Sequence, residues 1–250
     1  MNPEKLNLVI DIGNSQTKIA VFDAGEIVQM ACMESINITR LGDLKRNYPA
    51  LNQVILSSVA EVDTELLKEL KKDYDCFIEF DHQTAVPIGN QYKSKETLGL
   101  DRLAAAVGGN VLFPDKELLV IDAGTAITFD LVDKNHQFLG GNISPGLKMR
   151  FRALHEFTSK LPEIELSDAW PFIGKTTEEA IRAGVQNGMI FEIDGMIDHV
   201  RKDWPECQVI LTGGDLFFFD KKLKNTIFVK FEITLIGLNR ILEYNAEKNL

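Results

Sequence analysis

The sequence predicts an α/β protein made of two like domains facing a cleft, and three observations predict it. The first is an internal repeat. Leu8-Val9-Ile10-Asp11-Ile12-Gly13-Asn14-Ser15-Gln16-Thr17 and Leu119-Val120-Ile121-Asp122-Ala123-Gly124-Thr125-Ala126-Ile127-Thr128 agree at six of ten positions, including the Asp, the Gly and the Thr. A match that includes polar residues points to duplication rather than to two unrelated apolar strands. The second is a fainter echo: Val54-Ile55-Leu56 and Val209-Ile210-Leu211 are each followed by small residues, Ser57-Ser58 and Thr212-Gly213-Gly214. The third is the interleaving of these short apolar runs with helical periodicity, as in Asp63–Lys72, where Leu66, Leu67 and Leu70 share one face.

Taken in order, each copy of the repeat reads as a buried strand, an Asp-x-Gly turn and a second strand, over Lys18–Phe22 and Phe129–Val132. The glycine of such a turn can take a positive φ at little cost. Val54–Leu56 and Val209–Leu211 read as buried strands that end in small-residue turns. A helix rich in small residues is expected over Arg102–Val111, and Phe113-Pro114-Asp115 reads as the turn between halves. The expected domains are therefore 1–113 and 114–250. A helix starting near Thr177 spaces Ala180, Gly184 and Gly188 four apart, a stripe suited to close approach by another helix, within the chain or from a second copy.

Composition narrows the function classes. A chain of 250 residues with 45% hydrophobic content can bury roughly three quarters of its unfolded surface without metal or disulfide staples. Its net charge of −10 comes with no basic block, which argues against a nucleic-acid partner. Cys32, Cys76 and Cys207 are scattered and odd in number, which suits a reducing compartment and no zinc site. Asp11 interrupts the run Leu8–Ile10, and no stretch reaches the ~20 apolar residues of a membrane span. A cytoplasmic location is expected.

The two Asp-x-Gly turns are candidate phosphate cradles. Around Gly13 the backbone N–H groups could face phosphate oxygens, with Asn14 and Ser15 as donors and Lys18 as a cation. Around Gly124, Thr125 supplies the donor. A carboxylate repels phosphate, so Asp11 and Asp122 each need an intervening cation, magnesium held through water being the usual one. A plain hairpin remains the competing reading of either turn alone. In Thr212-Gly213-Gly214-Asp215 the paired glycines would let a flat ring such as adenine lie on the backbone, or simply turn the chain.

Taken with Gly99-Leu100-Asp101-Arg102 and Gly140-Gly141-Asn142-Ile143-Ser144-Pro145-Gly146, these motifs resemble the type III pantothenate kinases. That family lies in the acetate and sugar kinase, heat-shock ATPase and actin superfamily. The likeness runs from Leu8 to about Asp215, with Ser15 standing where the family usually has Thr. The resemblance implies duplicated actin-like (ribonuclease H-like) domains facing a nucleotide cleft. It implies ATP-dependent phosphorylation of pantothenate to 4'-phosphopantothenate, the first step of coenzyme A biosynthesis. ATP and phosphate would be held by Asp11, Ile12, Gly13, Asn14, Ser15, Gln16, Thr17, Lys18, Gly124, Thr125, Gly213 and Gly214, with Thr212 near adenosine. Asp101 would be the catalytic base, and Tyr92, Gly99, Leu100, Arg102 and Thr177 would bind pantothenate. Asp11 would organise magnesium, through water, while Asp122 would hold a monovalent cation, K+ or NH4+. The family also implies a homodimer with the acceptor pocket at its interface. Two other readings suit the same fold: a nucleotide-dependent regulatory module without turnover, and a kinase of another small alcohol.

Other signals do not carry function. Gly174-Lys175-Thr176 imitates a P-loop ending, but Ala169 stands where the loop needs glycine. Thr176 and Glu179 form an expected capping box. His82, His136, His155 and His199 show no ligand spacing, and Phe217-Phe218-Phe219 reads as core or interface.

Overall fold

The computed structural model describes residues 6–13 and 16–248. Two compact units emerge, Met1–Leu112 with Glu232–Leu250, and Phe113–Phe231. This corrects the expectation of two contiguous halves: the C-terminal helix belongs with the first unit.

The first unit contains β1 (Leu6–Ile12), β2 (Thr17–Asp23), β3 (Glu26–Met33), α1 (Ile38–Asn47), β4 (Leu51–Ser58), α2 (Thr64–Asp73), β5 (Cys76–Glu79), the two-residue β6 (Gly89–Asn90) and α3 (Leu100–Leu112). Its sheet runs β3-β2-β1-β4-β5, antiparallel through β3-β2-β1 and parallel from β1 to β4 and β5. One sheet face packs Leu8, Ile10, Val54 and Leu56 against Leu41 and Leu44 of α1 and Leu66 and Leu70 of α2. Asp63 caps α2 by accepting the Glu65 N–H at 2.8 Å, so the helix begins one residue after the start of the expected run Asp63–Lys72.

The returning helix α7 (Ile233–Lys248) packs on α3 and on β1 and β4. Glycines make that contact possible. A Cβ on Gly108 would stand 2.0 Å from the Ile233 carbonyl oxygen, and one on Gly237 would stand 1.8 Å from that of Ala104. Inside the contact, the Asn7 side-chain amide donates to Asn239 Oδ1 at 2.8 Å, satisfying two buried polar groups.

The second unit contains β7 (Leu118–Ala123), β8 (Ala126–Val132), β9 (Gln137–Pro145), α4 (Leu147–Glu156), α5 (Thr177–Asp203), β10 (Gln208–Thr212), the short α6 (Leu216–Phe219) and β11 (Phe228–Val229). Its strands run β11-β10-β7-β8-β9. Leu119, Ile121, Ile127 and Phe129 form a core with Leu147 and Phe151 of α4 and with Ile181, Met189 and Ile197 of α5.

The repeat is structural but not gapless. In the first hairpin Asp11 pairs with Lys18 and the last pair is Ile12 with Thr17; in the second, Asp122 pairs with Thr128 and the last pair is Ala123 with Ile127. The second loop is one residue shorter. Thr128 therefore stands where Lys18 does, not where Thr17 does, because a one-residue slip moves each side chain to the opposite face.

Candidate functional site

In the first unit, β1, β2, β4 and α3 bring four groups together, three of them predicted. Asp11 lies at the end of β1 with Lys18 opposite it on β2 and Ser57 beside it on β4. Burial pushes its carboxyl from the ordinary range up to about 6, opposed by the Lys18 ammonium, reinforced by the charge of Asp101 and opposed by a hydrogen bond with Ser57. Ser57 escaped sequence reading, where it was only a small turn residue. Its role follows from the parallel register of β1 and β4.

Asp101 sits in the first turn of α3, where a carboxylate suits the helix dipole, and its side chain is exposed. It accepts the Arg102 N–H at 2.8 Å. A Cβ on Gly99 would fall 2.5 Å from Asp101 Oδ1, so the glycine is required for this carboxylate position. Arg102 is buried at 6% exposure, and its guanidinium lies over the Tyr92 ring at 5.7 Å. The Tyr92 N–H donates in turn to Asn90 Oδ1 at 2.9 Å. Leu100 is half-buried beside them.

Two expectations about the turns need correction. Neither Gly13 nor Gly124 has a positive φ; among the glycines described, that conformation belongs to Gly25, Gly140 and Gly213. Each turn glycine also spends its own N–H on closing the loop, Gly13 to the Gln16 carbonyl and Gly124 to the Ala126 carbonyl, both at 3.0 Å. These two N–H groups are therefore engaged within their own turns. Asn14 and Ser15 lie outside the described residues, Gln16 is exposed, Ile12 is half-buried, and Thr17 is buried at 2% exposure within the hairpin.

In the second unit, Thr125 is exposed, and its carbonyl accepts the Gly146 N–H at 3.1 Å. A Cβ on Gly146 would lie 2.1 Å from the Gly124 carbonyl oxygen, which explains the last glycine of the motif ending in Ser144-Pro145-Gly146. Gly213 takes φ +97°, and a Cβ there would lie 2.4 Å from both Asp122 Oδ1 and the Ala123 carbonyl oxygen. Gly214 differs, since nothing lies within 4 Å of the place its Cβ would occupy. Asp122 is flanked by Thr128 on β8 and Thr212 on β10.

Thr177, the remaining predicted substrate residue, is the exposed first residue of α5. Thr176 caps that helix by accepting the Glu179 N–H at 3.2 Å, while Glu179 reaches the Lys175 N–H at 2.7 Å rather than that of Thr176. Along α5, Gly184, Gly188 and Gly195 face open space. Near them Phe172, Ile173 and Phe191 are 69%, 70% and 58% exposed. Gly184 and Gly188 of the stripe thus have no close neighbour among the described residues, whereas Gly174 lies against the backbone of Ala180. Phe218 and Phe219 enter the core, whereas Phe217 is exposed.

Among the described residues no group of three or more His, Cys, Asp or Glu could by itself hold a metal ion, and no helix is long and apolar enough to cross a membrane.

The family model for type III pantothenate kinases matches residues 7–199. A type III pantothenate kinase of Phocaeicola vulgatus is 48% identical over 96% of this chain and 99% of its own length. That of Flavobacterium johnsoniae is 37% identical over 97% and 99%. Among solved structures, a putative Baf family transcriptional activator from Campylobacter jejuni aligns with TM-score 0.58 and 23% identity over 96% of this chain and 99% of its own. Glucokinase from an Antarctic psychrotroph aligns with TM-score 0.54 and 10% identity, covering 96% and 99%. At those identities the structural likeness establishes the fold alone, one of duplicated actin-like domains.

Proposed function

The chain belongs to the type III pantothenate kinase family, and from that premise we propose how its residues divide the work. The reaction is ATP-dependent phosphorylation of pantothenate in coenzyme A biosynthesis. The observation that carries our assignment is the exposed Asp101 carboxylate, held by the Arg102 amide and close enough to Asp11 to raise its pKa.

Asp101 is the base. It orients the pantothenate primary hydroxyl and accepts its proton late, once bonding to phosphorus has made the hydroxyl acidic. Arg102, stacked on Tyr92, offers the guanidinium that the pantothenate carboxylate needs, and Gly99, Leu100 and Thr177 complete the acceptor contacts. On the nucleotide side, Ile12, Gly13, Asn14, Ser15, Gln16, Thr17 and Lys18 form the first phosphate loop and Gly124 and Thr125 the second. Gly213 and Gly214 lie at the adenosine.

Magnesium arriving with ATP supplies charge neutralisation at the β- and γ-phosphates. Asp11 fits that ion: it is a carboxylate destabilised by burial and by a second carboxylate, and a cation relieves both. With no protein cage around it, the ion would keep water in its shell. Asp122 fits a monovalent cation, K+ or NH4+. Its cross-strand neighbour is a neutral hydroxyl, Thr128, whose oxygen is buried without a hydrogen-bond partner.

The open face of α5 with Phe172, Ile173 and Phe191 supports a homodimer. Cys32, Cys76 and Cys207 form no disulfide, which supports a cytoplasmic setting.

An ADP-release assay against a panel of small alcohols tests this reading. Pantothenate should be the preferred acceptor, with turnover raised strongly by potassium or ammonium but not by sodium. Equal turnover in sodium would remove the Asp122 assignment, and preference for another alcohol would remove the acceptor. Gly184→Leu should separate the subunits in sedimentation; a monomeric wild type at micromolar concentration would sink the dimer.

A further inference from the structure

Arg150 lies near the start of α4, and its side chain folds back onto the residues that precede the helix. Its Nε donates to the Pro145 carbonyl at 2.7 Å, and its Nη2 donates to the Ser144 hydroxyl oxygen at 3.0 Å. The same Nη2 donates to the Glu192 carboxylate on α5. The two side chains of that ion pair are 20% and 29% exposed, so solvent screens it less than an ordinary surface pair. A cation this close to a helix N-terminus opposes the macrodipole. The first turn of α4 holds no acidic residue to offset it, and no side chain caps the helix. Helix electrostatics therefore do not account for the guanidinium; its three partners do.

Those partners lead to the second Asp-x-Gly turn. Pro145 pairs with Ala126 at the end of the β8–β9 ladder, and proline has no N–H to give that ladder. The hold on the turn passes to Gly146, whose N–H donates to the Thr125 carbonyl at 3.1 Å. Gly146 also packs so tightly that a Cβ would stand 2.1 Å from the Gly124 carbonyl oxygen and 2.6 Å from that of Thr125. Ser144-Pro145-Gly146 is thus the floor beneath Gly124-Thr125. The Arg150 fork grips two of its three residues, and Glu192 ties the fork to the middle of α5. A planar guanidinium with donors at fixed angles suits holding neighbouring residues in one orientation.

We propose that Arg150 is a positioning residue for the second phosphate loop, acting through Ser144-Pro145-Gly146, and that Glu192 orients it. The proposal rests on the reading of Gly124 and Thr125 as a phosphate cradle. Arg150 itself touches no nucleotide in this scheme. It keeps the loop in the shape that phosphate oxygens meet, so that ATP does not have to order the loop as it binds.

The test is calorimetric titration of the whole protein with magnesium and a non-hydrolysable ATP analogue, beside steady-state kinetics for both substrates. The variants are Arg150→Met, Glu192→Gln, the two combined, and Thr125→Val as a check on the loop itself. Arg150→Met should weaken the analogue by about tenfold, on the order of one lost bond to a charged group. Its KM for ATP should rise to match, while its KM for pantothenate stays within about twofold of wild type. Glu192→Gln should weaken the analogue by about threefold alone and not at all beside Arg150→Met, because it acts only through that side chain. Suppose that Thr125→Val weakens the analogue while Arg150→Met lowers only the melting temperature. Arg150 is then a strut between α4 and α5, and this proposal alone falls. If Thr125→Val binds as wild type does, the phosphate reading of the loop falls and takes the proposal with it. Equal rises in both KM values would overturn the positioning role, and additive losses in the combined variant would overturn the link from Glu192. Should Arg150→Met not fold, Arg150→Lys is scored in its place, since an ammonium cannot fork onto both neighbours.

Discussion

The two hairpin loops began as copies and now treat their carboxylates in different ways. Asp11 is opposed by Lys18, bonded to Ser57 and crowded by Asp101, and burial still raises its pKa to about 6. Asp122 instead faces Thr128, with the backbone of Gly213 pressed against its carboxylate at φ +97°. One residue of loop length sets Thr128 opposite Asp122, where a loop of equal length would set Phe129 and where the first hairpin has Lys18. Duplication thus preserved the position of the acid and changed the residue directly opposite it.

The sharpest way to break this comparison is at the base. Asp101→Asn should lower turnover by roughly a hundred- to ten-thousand-fold while leaving magnesium–ATP binding nearly unchanged. Asp11→Asn should weaken that binding as well as turnover. Steady-state kinetics beside calorimetric titration separates them, and near-wild-type turnover in Asp101→Asn would move the base elsewhere.

Next in size is the second loop's glycine. Gly213→Ala forces a side chain into a left-handed conformation and against Asp122 and Ala123, so a loss of about 2–4 kcal/mol is expected in chemical denaturation. Gly214→Ala, with open space around it, should cost well under ~1 kcal/mol. Equal effects would mean that the two glycines are interchangeable spacers.

The smallest effect concerns pH. The folded pKa of Asp11 lies above its unfolded value, so the native state binds the extra proton between about pH 4 and 6. Stability from this group is present below pH 4 and lost as pH rises through 6. Asp11→Asn should therefore melt higher than wild type at neutral pH, by on the order of 1–2 kcal/mol, with the gain fading toward pH 4. Magnesium–ATP affinity of the wild type should weaken below about pH 6, where Asp11 takes up its proton. A pH-independent difference between the two proteins would remove the burial argument.

Much of this was legible in the chain. The repeat, the buried strands, the apolar face of α2 and the motif around Asp101 are local patterns, because period and turn are set by neighbours in sequence. The α5 stripe was visible as a spacing, but a spacing cannot say whether a partner covers it. Ser57 was invisible as a ligand of Asp11, since nothing in its own segment announces the strand that pairs beside it.

By itself, then, the sequence determined that two acid-bearing hairpins exist, that each ends a buried strand, and that Asp101 opens a helix beside a guanidinium. Tertiary structure alone decided three things. It assigned the C-terminal helix to the first unit, because Gly108 and Gly237 let α3 and α7 approach at backbone distance. It set Thr128 rather than Phe129, the counterpart of Lys18 in the gapless alignment, opposite Asp122, because register is fixed by the closed hairpin and not by the alignment of letters. And it raised the pKa of Asp11, because desolvation depends on what the fold places around a carboxylate and not on its neighbours in the chain.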